Sequence, residues 1–273
     1  VTGDVEIRPG IWLRYGCEGA KLGASIRGRF VPLSIDAPTR AFVDAALAEP
    51  AGPFRTRLFQ AARRFLSDYD AYGLLRMYGM HLLTAEHVRA LLPGSERQSL
   101  LDVGAGNGAI TQVLAPSFER VQVTEASRVL RRRLAQRGFS VLKADLSVAA
   151  DSTQRFDVIA CLNVLDRCAR PRSLLTHLTA MLEPGGRLLL SVPLPLRPHV
   201  HVGPRTVDPE ESLPRSDHVW ELDATSLHDE LLRPLGFTVE RVARLPYLSR
   251  GDADCPLYVL DAAVYVLRLA PNT

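Results

Sequence analysis

The chain has 273 residues, 47% of them hydrophobic and 23% charged, which fits one globular domain with an extension, or at most two domains. Its 33 basic and 30 acidic residues leave a formal net charge of +3, too balanced to argue for a nucleic-acid or membrane partner. No apolar run reaches the roughly 18 residues that a spanning helix needs, so no transmembrane segment is expected. Lys21 and Lys143 are the two lysines and every other basic residue is arginine, which reads as composition bias. Cys17, Cys161, Cys168 and Cys255 form no CxxC pair and suit neither a zinc site nor a disulfide scaffold, so they read as small buried thiols. The opening VTGDVEIRPG lacks Met, which fits a chain whose targeting segment has been trimmed.

Residues 1 to 33 carry Gly at 3, 10, 16, 19, 23 and 28 and read as an irregular arm that packs on something else. A helix follows, with Asp36 as its cap, Pro38 in its first turn and Ala41, Phe42, Ala45 and Ala46 as its apolar stripe. A second runs from Phe54 to Leu66, with Leu58, Phe59, Ala62, Phe65 and Leu66 on one side. A third runs from Thr84 to Leu92, capped by Thr84 and closed by Pro93 and Gly94. The pattern then changes. SLLDVG, RVQVTE, FSVLKAD, FDVIACLN and GRLLLSVP are short apolar strands, most of them followed by helical patterns. Such alternation predicts a parallel sheet with helices on both faces. Prolines at 193, 195, 198, 204, 209 and 214 exclude regular structure over residues 193 to 219. A helix over LDATSLHDELLRPLG and two final strands, FTVERVARLPYL and PLYVLDAAVYVLRL, complete the chain. The implied division is an arm and helical extension over 1–93 and a catalytic domain over 94–273.

The chemistry concentrates in LLDVGAGNGAITQVL, residues 100 to 114. A strand, a glycine-rich turn and a helix form a nucleotide-type site, because glycines turn sharply and admit close approach. Gly104, Gly106 and Ala109 also satisfy G-x-G-x-x-G/A, so a dinucleotide must be weighed. Glu125 ends the second strand about 20 residues on, where a carboxylate accepts from ribose hydroxyls. That position serves NAD and S-adenosylmethionine (SAM) equally, and a helix N-terminal acid is the alternative reading of Glu125. Asp102 is placed to steady the loop or to meet a cofactor ammonium. What separates the cofactors lies downstream: LEPGGRLLLSVP, a helix end, a Pro-Gly-Gly turn and a strand, resembles the class I SAM-dependent methyltransferases. The resemblance implies an α/β, Rossmann-like, seven-stranded sheet, mostly parallel with a C-terminal antiparallel strand. It also implies that the methionine and ribose parts of SAM approach the backbone of Gly104, Ala105, Gly106 and Asn107.

Asn163 and Asp166 follow the fourth strand, where ligands of open α/β sheets bind. A carboxylate there orients an acceptor or takes its proton; a cap for a helix starting near Arg170 to Ser173 is the alternative for Asp166, and a turn residue for Asn163. The runs LDVGAGNG, TEAS, CLNVLDRC, RPRSLL, LEPGGRLLLSVPLPLRP, RLPYLSRGD and YVLDAAVYVL together resemble the methyltransferase-like 9 (DREV) family, protein-histidine N-pros methyltransferases, over roughly residues 54 to 268. The resemblance implies methyl transfer to histidine Nδ1 in protein or peptide substrates bearing His-x-His, by a monomer in the cytoplasm or an endomembrane or mitochondrial compartment. It implies cofactor contacts from Glu125, Asn163 and Tyr247, with Tyr247 closing the site, and Tyr258 as a substrate wall. Asp166 then accepts from Nε2–H and leaves Nδ1 nucleophilic, so that Asp166, Asn163 and Tyr247 are the catalytic set and no metal is needed. PHVHVGP carries a His-x-His of its own, His199 and His201, readable as a self-substrate or as ordinary loop histidines. Met80, His81 and His87 read as packing or surface residues, with an acceptor-channel role as the alternative. A methyltransferase of a small molecule or another side chain, and a non-catalytic SAM-fold module, remain the competing readings; a dehydrogenase would require nicotinamide binding.

Overall fold

A computed structural model describes residues 3–270 except 50, 51, 63, 65, 67, 76–78, 95–97, 143, 144, 150–153, 203, 204, 216 and 252–254. Phe65 of the second expected helix, Lys143 and Ala144 of the third expected strand, and Pro204 therefore lie outside the described residues.

The arm is not irregular throughout. β1 (Val5–Arg8) and β2 (Ile11–Leu13) form an antiparallel hairpin turned at Gly10, where φ is +80°, and α1 (Ala24–Arg27) is one short helical turn. These pieces are too short to show a period, which is why the glycine content dominates the sequence. α2 (Ala37–Ala48) is capped as expected: Asp36 accepts from the Thr39 amide at 3.1 Å. α3 (Pro53–Ala62) covers the first part of the second expected helix, and α4 (Asp68–Leu75) is a helix that sequence reasoning does not anticipate. β3 (Met80–His81) precedes α5 (Ala85–Leu91), where the Thr84 hydroxyl caps the His87 amide at 3.3 Å.

The alternating unit follows in order: β4 (Ser99–Val103), α6 (Ala109–Leu114), β5 (Arg120–Thr124), α7 (Arg128–Gln136), β6 (Ser140–Val141), β7 (Phe156–Leu162), α8 (Pro171–Met181) and β8 (Leu182–Leu194). The stretch expected to lack regular structure holds a small hairpin, β9 (Val200–Val202) and β10 (Arg205–Val207), fitted between Pro198 and Pro209. α9 (Trp220–Ser226) continues as a π-helical segment over Leu227–Leu232, then come β11 (Phe237–Arg250) and β12 (Leu257–Leu269).

The main sheet has the order β6-β5-β4-β7-β8-β12-β11-β3. The first five strands are parallel, β12 is antiparallel to both of its neighbours, and β3 is antiparallel to β11. The expected seven strands are thus present, and β3 makes an eighth. Two residues give no sequence signal for a strand; pairing of Met80 and His81 with Ser249 and Leu248 makes one. β3, together with a bridge from Phe30 to Val242, covers the outer edge of β11.

Central strands are apolar at nearly every position because both faces are covered. The two-residue period divides them. Leu101, Val103, Ile159, Cys161, Leu188 and Leu190 pack on one side with Leu174 and Leu178 of α8, and Leu22 and Ile26 of the arm join them. Leu100, Val158, Ala160 and Leu189 pack on the other with residues of α2, α5 and α6 and with Leu13 and Tyr15. Arg244 of β11 is buried where arm, sheet and α9 meet. It pairs with Asp261 at 2.6 Å, reaches the Gly16 carbonyl at 3.4 Å and lies 5.3 Å over Trp220.

The fully buried Tyr265 hydroxyl donates to the Ala224 carbonyl at 2.8 Å and so ties α9 to β12. Tyr265→Phe removes that bond with little change of shape and should cost about 1 kcal/mol in urea unfolding. An unchanged midpoint would mean that the bond adds nothing to stability.

Candidate functional site

The site grows from the carboxyl ends of β4, β5 and β7, which lie side by side. After Val103 the chain turns through Gly104, Gly106 and Gly108 at φ of +69°, +58° and +79°. Any L side chain is strained in that region, by about 1–2 kcal/mol per residue. At Gly104 the close approach comes from the protein: a Cβ there would lie 2.7 Å from the Val164 side chain. At Gly108 it would lie 2.8 Å from Leu134. The loop is further held by Ala105 N–H donating to the Thr124 carbonyl at 3.0 Å and by Asn107 Oδ1 accepting from the Ala109 amide at 2.9 Å.

Glu125 closes this loop against β5. One carboxylate oxygen accepts from the Gly106 amide and the other from the Ser127 amide, both at 2.8 Å. Burial raises its pKa, with the amide bonds opposing. A carboxylate has about four lone-pair sites, more than these amides fill, so Glu125 can still accept from a ligand hydroxyl. Asp102, only 3% exposed, accepts from the Thr111 hydroxyl of α6 at 2.6 Å and so braces the loop. Burial pushes its pKa up to about 7, against the Thr111 bond, and the Glu125 charge adds to the rise.

β7 ends at Leu162, and Asn163 turns the chain at φ +57°. Its N–H donates to the Ser191 carbonyl at 3.0 Å, and its Oδ1 accepts from the Ser191 hydroxyl at 2.8 Å. Its Nδ2 is buried and has no hydrogen-bond partner among the described residues. Asp166 follows in a 3₁₀ turn, 3% exposed. One oxygen, Oδ2, pairs with Arg167 at 2.6 Å; the other, Oδ1, is buried without a partner among the described residues. Burial pushes its pKa up to about 6, with Arg167 opposing. The helix-cap alternative for Asp166 fails. Glu211 caps α8 instead, accepting from the Arg172 and Ser173 amides at 2.7 and 2.9 Å and from the Ser173 hydroxyl.

Sequence reasoning misses Thr111, Arg167, Ser191 and Glu211. The last two act across 28 and 38 residues, where no spacing rule reaches. The stretch between β8 and α9, an insert after the alternating unit, also meets the site: His199 N–H donates to the Asp166 carbonyl at 2.9 Å, and the His199 and His201 rings stand edge to face at 5.0 Å. Tyr247 and Tyr258 lie farther off. β11 and β12 run past the end of β8, where Leu194 pairs with Asp261, and carry Tyr247 opposite Leu260 and Tyr258 opposite Ser249. Tyr247 is half-buried and its hydroxyl donates to the Met80 thioether; Tyr258 is 47% exposed. Two strands stand between β11 and β7, so at about 4.8 Å per strand their backbones are about 14 Å apart. His81 and His87 are engaged in the extension, His81 with Thr39 at 2.9 Å and His87 with the Ser34 carbonyl at 3.0 Å. Among the described residues there is no group of three or more metal-ligating side chains, and no helix is long and apolar enough to cross a membrane.

The DREV methyltransferase family matches residues 14–269, nearly the whole chain. The chain belongs to that family. Similarity to curated proteins is more distant. The ubiquinone biosynthesis O-methyltransferase of Coxiella burnetii (strain Dugway 5J108-111) is 28% identical over 98 residues, 34% of this chain and 42% of that protein. That of Actinobacillus pleuropneumoniae serotype 5b (strain L20) is 26% identical over 149 residues, 50% of this chain and 64% of that protein. The chain thus spans less than two thirds of the length of these curated relatives. Among solved structures, N-methyltransferase NodS from Bradyrhizobium japonicum WM9 with S-adenosyl-L-homocysteine is 19% identical, with 67% of this chain and 84% of that chain covered and a TM-score of 0.43. The DhpI–SAH complex is 18% identical, with 68% and 82% covered and a TM-score of 0.48.

The cofactor of this DREV chain is S-adenosylmethionine, and the residues present fit it. Two buried carboxylates, Asp102 and Asp166, and the half-buried Glu125 surround the strand ends, and Arg167 is the cation paired with one of them. Such a site favours a sulfonium and an ammonium and disfavours a pyrophosphate. The unpartnered Asn163 Nδ2 and the spare lone pairs of Glu125 supply a donor and acceptors for its polar groups.

The raised pKa of Asp102 has a consequence for stability. Its folded value lies above the unfolded one, so the folded protein holds the extra proton between about pH 4 and pH 7. Ligand-free stability should therefore fall as pH rises through that window. Asp102→Asn removes the cost of ionising. Its stability gain over the parent should be near zero at pH 4 and grow to a few kcal/mol by pH 8, because each pH unit between the unfolded and folded pKa values is worth about 1.4 kcal/mol. Urea melts of both proteins at the two pH values measure this, and a constant difference would mean that Asp102 is not perturbed.

Proposed function

We propose that this DREV protein is a SAM-dependent methyltransferase that methylates histidine Nδ1 in protein substrates bearing His-x-His. The observation that carries the reading is Asp166 Oδ1, a buried carboxylate oxygen without a partner among the described residues, at the carboxyl end of β7 beside Asn163. When bound, the cofactor supplies an electrophilic methyl group on its sulfonium. Glu125 and the backbone of Gly104 to Asn107 hold its ribose and methionine portions, and Asn163 Nδ2 donates to it. Asp102 braces the loop through Thr111 and adds negative charge near the ammonium.

Asp166 acts on the acceptor. A neutral imidazole has one N–H and one lone pair. Oδ1 accepts from Nε2–H, which leaves the Nδ1 lone pair bare and points it away from the carboxylate. The same charge stabilises the positive imidazole ring as the N–C bond forms, and the carboxylate then takes the Nε2 proton. A carboxyl with a pKa near 6 is matched to that task at neutral pH. Tyr247 and Tyr258, on the overhang of β11 and β12, form the outer wall on which the substrate chain lies.

A small-molecule acceptor is the second reading, favoured by the deep burial of Asp166 beneath the insert. One assay separates the two: labelled SAM with a His-Ala-His peptide, followed by hydrolysis and identification of the methylhistidine isomer. The parent should form the Nδ1 isomer. Asp166→Ala should lose about 10²-fold or more in turnover while keeping its affinity for SAM. Glu125→Ala should weaken SAM binding by about tenfold or more, the worth of hydrogen bonds to a charged group. Equal loss of SAM affinity in both variants would overturn this division of roles, and a parent that binds SAM but leaves the peptide unmodified would favour the small acceptor.

A further inference from the structure

Arg167 stands between Asp166 and the insert that follows β8. One nitrogen of its guanidinium, Nη1, lies 2.6 Å from Asp166 Oδ2, 3.1 Å from the Asp166 carbonyl and 3.2 Å from the Arg197 carbonyl. The His199 amide donates to the same Asp166 carbonyl at 2.9 Å. Farther along, the Glu210 and Glu211 amides donate to the Ala169 carbonyl at 2.8 and 3.2 Å, and Glu210 pairs with Arg170 at 2.6 Å. The insert is therefore fastened to the chain after β7 at two places, and Arg167 is the part of the first fastening that also touches the carboxylate.

We propose that Arg167 is a positioning residue of this site: it grips Asp166 Oδ2 and the Arg197 carbonyl together, so that the insert closes over Asp166 only while Oδ1 is turned to the acceptor. The inference rests on the reading of Asp166 as the acceptor's carboxylate. Its geometry is self-consistent. With Oδ2 occupied by Arg167, Oδ1 is the oxygen left without a donor among the described residues. Arg167 is 29% exposed at its side chain against 3% for Asp166, so the strap can be released to water while the carboxylate stays covered. A lysine would keep the charge but grip with a compact point donor, and a glutamine would keep donors without charge. Among the described residues, the titratable groups near Asp166 include Cys161 of β7 and Cys168, whose thiols burial holds protonated, and His199 on the insert.

The test uses Arg167→Ala, Arg167→Lys and Arg167→Gln in the full chain, with two readouts. Backbone hydrogen exchange over residues 197–202 needs no turnover: Arg167→Ala should speed it about tenfold, and Arg167→Lys should stay near the parent. The pH profile of methyl transfer to the His-Ala-His peptide reports the charge. Its acidic limb should move up by about one pH unit in Arg167→Ala and Arg167→Gln and return toward the parent in Arg167→Lys. Unchanged exchange, or a limb that stays in place in both neutral variants, overturns the proposal. If the parent leaves the peptide unmodified, or Asp166→Ala keeps full turnover, the functional reading fails, and exchange alone decides whether Arg167 holds the insert. If Arg167→Ala does not fold, the glutamine and lysine variants decide by the same two criteria.

Discussion

Everything at this site follows from drawing three carboxylates at neighbouring strand ends out of water, Asp102 and Asp166 fully and Glu125 in part. Asp102, Glu125 and Asp166 all have raised pKa values, and burial is the first cause in each case. Taking a carboxylate out of water is costly unless hydrogen bonds or charges replace the water. Each acid solves this differently. Asp102 has one hydroxyl, Glu125 has two backbone amides, and Asp166 has one guanidinium. None is fully compensated, so the ligand-free protein carries a deficit of positive charge that a cationic ligand would fill. This is the physical reason a sulfonium cofactor suits the loop better than a dinucleotide, although both fit the glycine spacing.

The two halves of the site are mechanically one unit. Val164 follows Asn163 and presses against Gly104, so the turn after β7 sits in the space that a side chain on the loop would need. Ser191 within β8 holds Asn163 at backbone and side chain together. Loop, β7 turn and β8 therefore cannot shift independently at packed-core density. A methyl donor and an acceptor must meet at about 3–3.5 Å, which demands this kind of rigidity.

What the sequence makes legible is local. The glycine turn, Glu125 and the strand alternation lie within short windows where period and spacing carry the information. The caps at Asp36 and Thr84 are legible for the same reason. Residues 193–219 mislead because their prolines exclude long strands only, and a three-residue pairing fits between Pro198 and Pro209. Sequence alone leaves Asp166 open between two roles; Glu211 removes the helix-cap role by occupying the helix terminus, 38 residues from Ser173 in the chain. The left-handed Asn163 and its Ser191 partner are likewise long-range facts. Tyr247 is legible only through the family resemblance: nothing in its own window marks it, and it lies on β11, with two strands between it and β7.

That distance says something about the kind of acceptor the site can take. A group small enough to contact only Asp166 and the cofactor loop would have no use for the overhang of β11 and β12. An extended chain would: an antiparallel pair projecting beyond β8, with Tyr258 and Leu260 exposed on β12, offers a ledge whose nearer strand lies about 10 Å across the sheet from β7. An extended peptide covers that lateral distance in about three residues, at roughly 3.3–3.6 Å each. A protein substrate whose reactive side chain enters at Asp166 would thus lay its flanking residues along the ledge. Under the proposed function, the burial of Asp166 and the exposure of Tyr258 would be two sides of one arrangement.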